Sequence, residues 1–298
     1  MNITRIPLFA VVLFFPALAF CCAHSCESNQ KSPSVQQDSS PAAPADSDST
    51  SPTPAGCAIS PKFDNLLNQI EIAGTKLKTF QADMLFQQAQ TLIDTLELRH
   101  GRLYYQADKN AVRFRIHFDD FQQIELDDED EPAPVVSLDL DYIFDGTWFT
   151  KRDARNKNIQ RRQIAETPQG RESFRLGRGP FPLPFAIRKA DILKEFHLAL
   201  VKTDPNDPAE TRHLRLTPRK DGSYAEQYIR LDLWLSSTTT VPEQLRYETD
   251  DGEITTVTWS AIKLDAKLPG HTFKLPAPGP GWSVETIPLE KPQQGPSP

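Results

Sequence analysis

Chemistry-bearing clusters are scarce in this 298-residue chain. Its six histidines occur singly, with no His-Glu-x-x-His and no Cys/His metal spacing. No Gly-x-Ser-x-Gly elbow and no glycine-rich phosphate loop is present. The sequence therefore carries no catalytic motif, and no cofactor or metal is expected. A hydrolase would need scattered carboxylates to converge in space. Basic excess is lacking too: the formal net charge is −7, which leaves no electrostatic footprint for nucleic acid. Only four cysteines occur, all at or before residue 57, so nothing staples the body of the chain. A Cys26–Cys57 disulfide is chemically allowed in an oxidising compartment, where it would close only a loose loop.

Long apolar runs are also missing. The longest, Ile6 to Phe20, is about 15 residues, short of the roughly 20 that span a bilayer. It follows a short n-region with one positive charge (Met1 to Arg5) and ends in Ala17-Leu18-Ala19, small residues of the kind a signal peptidase reads. Residues 1–20 thus read as a signal peptide, and the protein as exported. Leu18-Ala19-Phe20-Cys21 resembles a bacterial lipobox with Phe20 where Gly, Ala or Ser is usual; Ala23-His24-Ser25-Cys26 has the small residue but a poor remainder. Cys21 and Cys26 are the two lipidation candidates. Residues 21–58, rich in Ser, Pro, Asp, Gln and Ala, cannot bury enough apolar area to offset ordering entropy and read as a disordered tether. Residues 291–298 read as a disordered tail. Residues 59–290 are left as one folded domain, periplasmic or anchored at the outer membrane.

Within that domain the pattern opens on a helix. Ser60-Pro61 offers a capping hydroxyl and a first-turn proline, and Phe63, Leu66, Leu67, Ile70, Ala73 and Leu77 follow at helical spacing. Thereafter the period becomes two. Val112, Phe114, Ile116 and Phe118 alternate with Arg113, Arg115 and His117. Val136 to Phe144 and Ile229 to Leu235 alternate likewise, each with one greasy and one wet face. Weaker strands read over Thr79–Gln88, Arg102–Gln106, Phe196–Lys202, His213–Thr217, Glu243–Tyr247, Thr255–Ser260 and Phe273–Leu275. Asp145-Gly146, Asp221-Gly222 and Asp251-Gly252 predict tight turns between antiparallel neighbours. A second helix is expected over Ala186–Glu195. An amphipathic sheet of about ten strands must stack, close or curl around helices to cover its greasy face. With only two helices, an incompletely filled concavity is expected, where a ligand could go.

The order of several short motifs resembles the LolA/LolB-like superfamily. They are Leu77-Lys78-Thr79-Phe80-Gln81-Ala82-Asp83, Gly101-Arg102-Leu103-Tyr104-Tyr105, Phe144-Asp145-Gly146-Thr147-Trp148-Phe149, the Pro182–Ile187 stretch, Leu214-Arg215-Leu216-Thr217-Pro218-Arg219, Phe273-Lys274-Leu275-Pro276 and Gly281-Trp282-Ser283-Val284. The resemblance covers most of residues 60–287. It implies a mainly β fold with two or so helices, an open antiparallel half-barrel with a helical lid. It also implies a monomeric carrier of acylated lipoproteins or lipids in outer-membrane lipoprotein sorting. Where the family has a basic residue beside a proline, implicated in lid opening, this chain has Ala107-Asp108-Lys109-Asn110, so Lys109 is the only counterpart. The acidic stretch Asp119–Glu131 looks like an insertion.

The residues expected to line the hydrophobic cavity are Phe86, Phe114, Ile116, Phe118, Leu140, Tyr142, Trp148, Leu231, Leu233 and Trp259, against the plainer reading that they are core. An acyl chain gains about 0.8 kcal/mol per buried methylene, so a dozen would supply about 10 kcal/mol before ordering costs. Residues 151–178 hold nine basic and three acidic side chains, a candidate contact for anionic headgroups or an acidic partner. The run Asp127-Asp128-Glu129-Asp130-Glu131 splays its acids and lacks the alternation of a calcium loop. The alternative function is a membrane-tethered envelope protein that binds a partner through these charged loops, without lipid transfer.

Overall fold

A computed structural model describes residues 60–109, 111–126, 133–167, 185 and 187–289. The helix α1 spans Pro61–Lys76, with Pro61 in its first turn as expected. Ser60 caps it through its backbone carbonyl, which accepts from the amides of Phe63 and Asp64, and makes no side-chain cap bond. Leu66, Leu67 and Ile70 form its buried stripe. The second helix, α2, is shorter than the sequence suggests, Lys189–Glu195; Ala186 lies outside the described residues.

Twelve strands follow the period-two pattern: β1 (Thr79–Gln90), β2 (Thr95–Ala107), β3 (Val112–Glu125), β4 (Val136–Phe144), β5 (Trp148–Asp153), β6 (Asn158–Gln163), β7 (Phe196–Leu200), β8 (Thr211–Pro218), β9 (Arg230–Ser236), β10 (Pro242–Glu248), β11 (Glu253–Leu264) and β12 (Ser283–Ile287). All belong to one sheet in the order β12-β6-β5-β4-β3-β2-β1-β11-β10-β9-β8-β7. β12 and β7 are its two edges, so the sheet is open, and this fits an open half-barrel. The predicted mainly β class with two helices therefore holds for the described residues.

Several expectations are corrected. Phe273–Leu275 is not a strand; it lies in the segment that carries the chain from β11 to β12. The basic residues 151–163, for which a plain solvated hairpin is the alternative to a binding patch, do lie largely on the hairpin β5–β6. Asp119 to Glu125 is not an insertion but the far end of β3; the acidic run 127–131 lies outside the described residues. The sheet is not wholly antiparallel, because β12 pairs with β6 in parallel. Asp145-Gly146 does make the β4–β5 turn: Gly146 has φ 109° and the Asp145 carboxylate accepts from the amides of Thr147 and Trp148. Gly252 has φ 83° in the β10–β11 turn. Asp221-Gly222 instead sits inside the longer connection from β8 to β9.

Because successive side chains alternate, register divides the sheet into two faces. One row runs Phe80–Tyr105–Phe114–Phe144–Phe149, the next Ala82–Leu103–Ile116–Tyr142. Across β1 the same face continues through Met84–Trp259, Leu245–Leu233 and Leu214. Nearly all of these are buried, and each such side chain contributes about 1.5–3 kcal/mol. Gly101 opposes Phe118 in this wall; a Cβ there would lie 2.0 Å from the His117 carbonyl oxygen, so the strands can approach only over glycine.

The opposite face is polar and is crossed by the segment from Asp265 to Trp282, which leaves mid-sheet β11 and reaches β12 at the edge. Thr272 offers its carbonyl to Arg115 Nη1 at 3.2 Å, and the Trp282 ring lies 5.0 Å from the Arg152 guanidinium. Asp141, on this face of β4, is thereby fully buried.

Candidate functional site

The candidate site is the apolar face, and its centre is a ladder of rings. Phe114 stacks on Phe144 at 5.8 Å, Tyr142 on Phe149 at 6.1 Å, and Phe118 meets Phe86 and Tyr142 edge-on at 6.0 and 6.3 Å. Of the expected lining residues, Phe114, Ile116, Phe118, Leu140, Tyr142, Leu231, Leu233 and Trp259 are buried on this face and Phe86 is half-buried on it. Trp148 is not: it pairs with Gln163 and shares its parity with Thr150 and Arg152 on the polar face, where the Arg161 guanidinium lies 4.9 Å from its ring. The difference is one of register, since Phe149 rather than Trp148 continues the row of Phe144.

Over one part of the face the chain covers its own wall. The Phe185 ring stands 4.5 Å from Phe80, 5.3 Å from Tyr105 and 6.3 Å from Trp259. Gly74 of α1 lies against the Phe185 backbone, so closely that a Cβ would come within 2.2 Å of its carbonyl oxygen. The expected open concavity is thus filled at Trp259. A cavity of about 430 Å³ lies elsewhere, where Thr79, Gln106, Arg113 and Asp145 face Lys267 to Gly270 and Phe273. Lys109, the expected lid-facing base, is exposed in the short connection between β2 and β3.

Toward the β1–β2 turn the apolar wall meets a charge that the sequence reading misses. Arg99, opposite Phe86, points to the apolar face and is only 4% exposed. Its guanidinium lies 5.5, 5.6 and 5.9 Å from the ring centres of Phe86, Phe118 and Phe121. Glu97, two residues back on the same face, pairs with it. Burial raises the Glu97 carboxyl above its ordinary range, against the pull of Arg99. Burial also pushes the Tyr142 phenol up to about 12, with Arg99 opposing, so Tyr142 stays neutral. A strand read from Arg102 stops short of Arg99; extending its parity backward from Leu103 places an arginine among the inward residues.

On the polar face two buried aspartates repeat one arrangement. Asp141 accepts from Arg115 Nε at 2.8 Å and His117 Nδ1 at 2.9 Å, and pairs with Arg152. Asp232 accepts from Arg215 Nε at 2.7 Å and His213 Nε2 at 2.9 Å. Trp234 stacks on His213 at 4.2 Å and donates to Asp207. His117, Asp139 and Asp141 also lie close enough to share a cation. The guanidiniums of Arg115 and Arg152 already occupy the Asp141 oxygens, so a divalent ion there would add a third positive centre to one carboxylate. The cluster is an ion-pair network that pins β3 to β4.

No protein-family model matches the sequence, and no curated protein matches it. Among solved structures, a conserved protein from Thermus thermophilus is 12% identical, covering 76% of this chain and 99% of that one at a TM-score of 0.41. LprF from Mycobacterium bovis is 10% identical, covering 71% and 97% at 0.39. A LolA superfamily protein from Nitrosomonas europaea is 12% identical, covering 71% and 97% at 0.30.

Proposed function

We propose that this chain is a non-enzymatic protein of the cell envelope that holds an acyl chain, of a lipid or an acylated lipoprotein, on the apolar face of its open sheet. The observation that carries the reading is the wall itself. Rows of Phe, Tyr, Ile and Leu run across strands β1 to β4 and end at Phe149 of β5, on a sheet whose edges do not close. These side chains are buried as they stand, Phe185 covering part of the wall, so a guest's methylene groups would gain free energy there by taking the place of the present cover. The rim at the β1–β2 turn supports an exchange route: Leu92 and Ile93 at its tip are 81% and 63% exposed, and Leu126, at the end of β3 beside Asp94, is exposed as well. The export features and motif order read from the sequence point to the same compartment and cargo.

Native mass spectrometry of the mature protein, purified under mild conditions, tests the proposal together with equilibrium binding of an acylated peptide. Bound lipid mass, or saturable binding that needs the acyl group, is expected. An empty protein with no affinity for acylated peptides contradicts it.

A further inference from the structure

Arg113 stands apart from the other arginines of the polar face. Arg115, Arg152 and Arg215 each reach a buried carboxylate, Asp141 or Asp232. Arg113, two residues before Arg115 on β3, makes no ion pair and no side-chain hydrogen bond among the described residues. It lines the cavity of about 430 Å³ between the sheet and the segment that crosses it. Register fixes the floor: Thr79 of β1, Gln106 of β2 and Arg113 of β3 stand abreast and half-buried. The Thr79 hydroxyl is engaged by the Ala266 carbonyl at 2.6 Å. The Gln106 amide, like Arg113, has no partner among the described residues. From the crossing segment come Lys267 and Lys274, both exposed and without ion pairs, with the half-buried Leu268 and Phe273 beside them.

This lining is net cationic. Three basic side chains stand against one acid, Asp145, whose carboxylate already accepts from the amides of Thr147 and Trp148 at 2.9 and 2.8 Å. Asp265, just outside the lining, is likewise turned to the amides of Lys78 and Thr79. Like charges around one hollow repel, and an anion between them turns the repulsion into attraction. A phosphate monoester carries about −1.5 to −2 at neutral pH and three acceptor oxygens, which matches an excess of two positive charges. The guanidinium fork can grip two of those oxygens and leave the third to an amide or ammonium donor. A cavity in the size range of small-molecule sites also has room for an organic group beyond the phosphate.

We propose that this cavity binds a phosphate monoester: Arg113 and Gln106 take the phosphate from the sheet, Lys267 and Lys274 close on it from the crossing segment, and the organic part lies against Leu268 and Phe273. The site is on the face opposite the apolar wall and stands independently of the acyl reading. An anion held between β3 and the crossing segment also fastens that segment, so binding should raise the melting temperature.

Calorimetric titration of the full chain with phenyl phosphate, inorganic phosphate and phenol tests the proposal. Phenyl phosphate should bind at one per chain and more tightly than inorganic phosphate, and phenol should not bind. Arg113→Gln should weaken phenyl phosphate at least about tenfold, the worth of a charge-assisted hydrogen bond. Lys267→Gln combined with Lys274→Gln, at exposed positions that do not carry the fold, should weaken it by a similar factor. Lys220→Gln, an exposed cation in the β8–β9 connection, should leave it unchanged. Flotation with phosphatidylcholine vesicles, with and without phosphatidic acid, separates the sources of the phosphate. Flotation that needs phosphatidic acid and is displaced by phenyl phosphate assigns the site to a lipid head, whereas phenyl phosphate binding without flotation assigns it to a soluble ester. No saturable binding of phenyl phosphate, equal binding of phenol, or an affinity unmoved by Arg113→Gln and by the lysine pair overturns the proposal. Inorganic phosphate binding as tightly as phenyl phosphate overturns the contact with Leu268 and Phe273.

Discussion

His117 and Arg115 share one acceptor, Asp141 Oδ1, at 2.9 and 2.8 Å, with the carboxylate shut off from solvent beneath the segment that joins β11 to β12. Burial alone would raise the Asp141 carboxyl, but the bonds from His117 and Arg115 outweigh it and hold it below its ordinary 3.8. Removing the negative charge leaves two guanidiniums facing each other on a covered surface. Asp141→Asn should cost about 3 kcal/mol or more, read as a lowered denaturant midpoint with an unchanged slope. Asp232→Asn should behave alike. Five strands separate the two sites, so the losses should add to within about 0.5 kcal/mol.

The same pair gives the protein a pH dependence. His117 titrates above its ordinary 6.5, first because of its hydrogen bond to Asp141, against the opposing effect of burial. A raised folded pKa means the contribution is complete below the unfolded value and is lost as pH rises through the folded one. Asp141 works in the other direction: its contribution is present above the unfolded value of 3.8 and lost as pH falls through its depressed value. Stability should therefore fall on both sides of a mildly acidic plateau. His117→Gln should cost about 1 kcal/mol on the plateau and progressively less as pH rises above the ordinary 6.5 and through the raised folded value. Denaturation midpoints measured across pH check this; an equal loss in His117→Gln at all pH values would refute it.

Much of the fold was legible because β3, β4 and β9 write their alternation in large apolar residues, and α1 its stripe in Phe63 to Leu77. β5 and β6 were harder. Their inward parity carries Lys151, Gln160 and Arg162, so period two exists there without hydrophobic contrast. β12 is a fully exposed edge strand whose partner is set by the crossing segment, and local sequence says nothing of that. At the site, composition found most of the wall, but two decisions needed register. Trp148 or Phe149 could continue the row after the turn, and Arg99 had to be assigned a face.

That register decision makes a prediction of its own. Phe118→Asp puts a charge into the ring ladder and should abolish acyl-probe binding, whereas Trp148→Ala, on the polar face, should leave it unchanged. Circular dichroism of each variant separates lost binding from lost fold. If Trp148→Ala abolishes binding and Phe118→Asp does not, the assignment of faces is wrong.

Phe185 lies over Phe80, Tyr105 and Trp259. Truncating it to alanine should destabilise the protein by about 3–5 kcal/mol in the absence of ligand. It should also make room on the wall, so that the loss shrinks when an acylated peptide is present in excess. Thermal melts with and without the peptide show this directly.

The most direct test of the central claim is the stoichiometry of acyl chains on the mature protein, counted by native mass spectrometry after titration with an acylated peptide and with its unacylated twin. The account predicts saturable uptake of the acylated peptide and none of the twin. Equal uptake of both, or of neither, would contradict it.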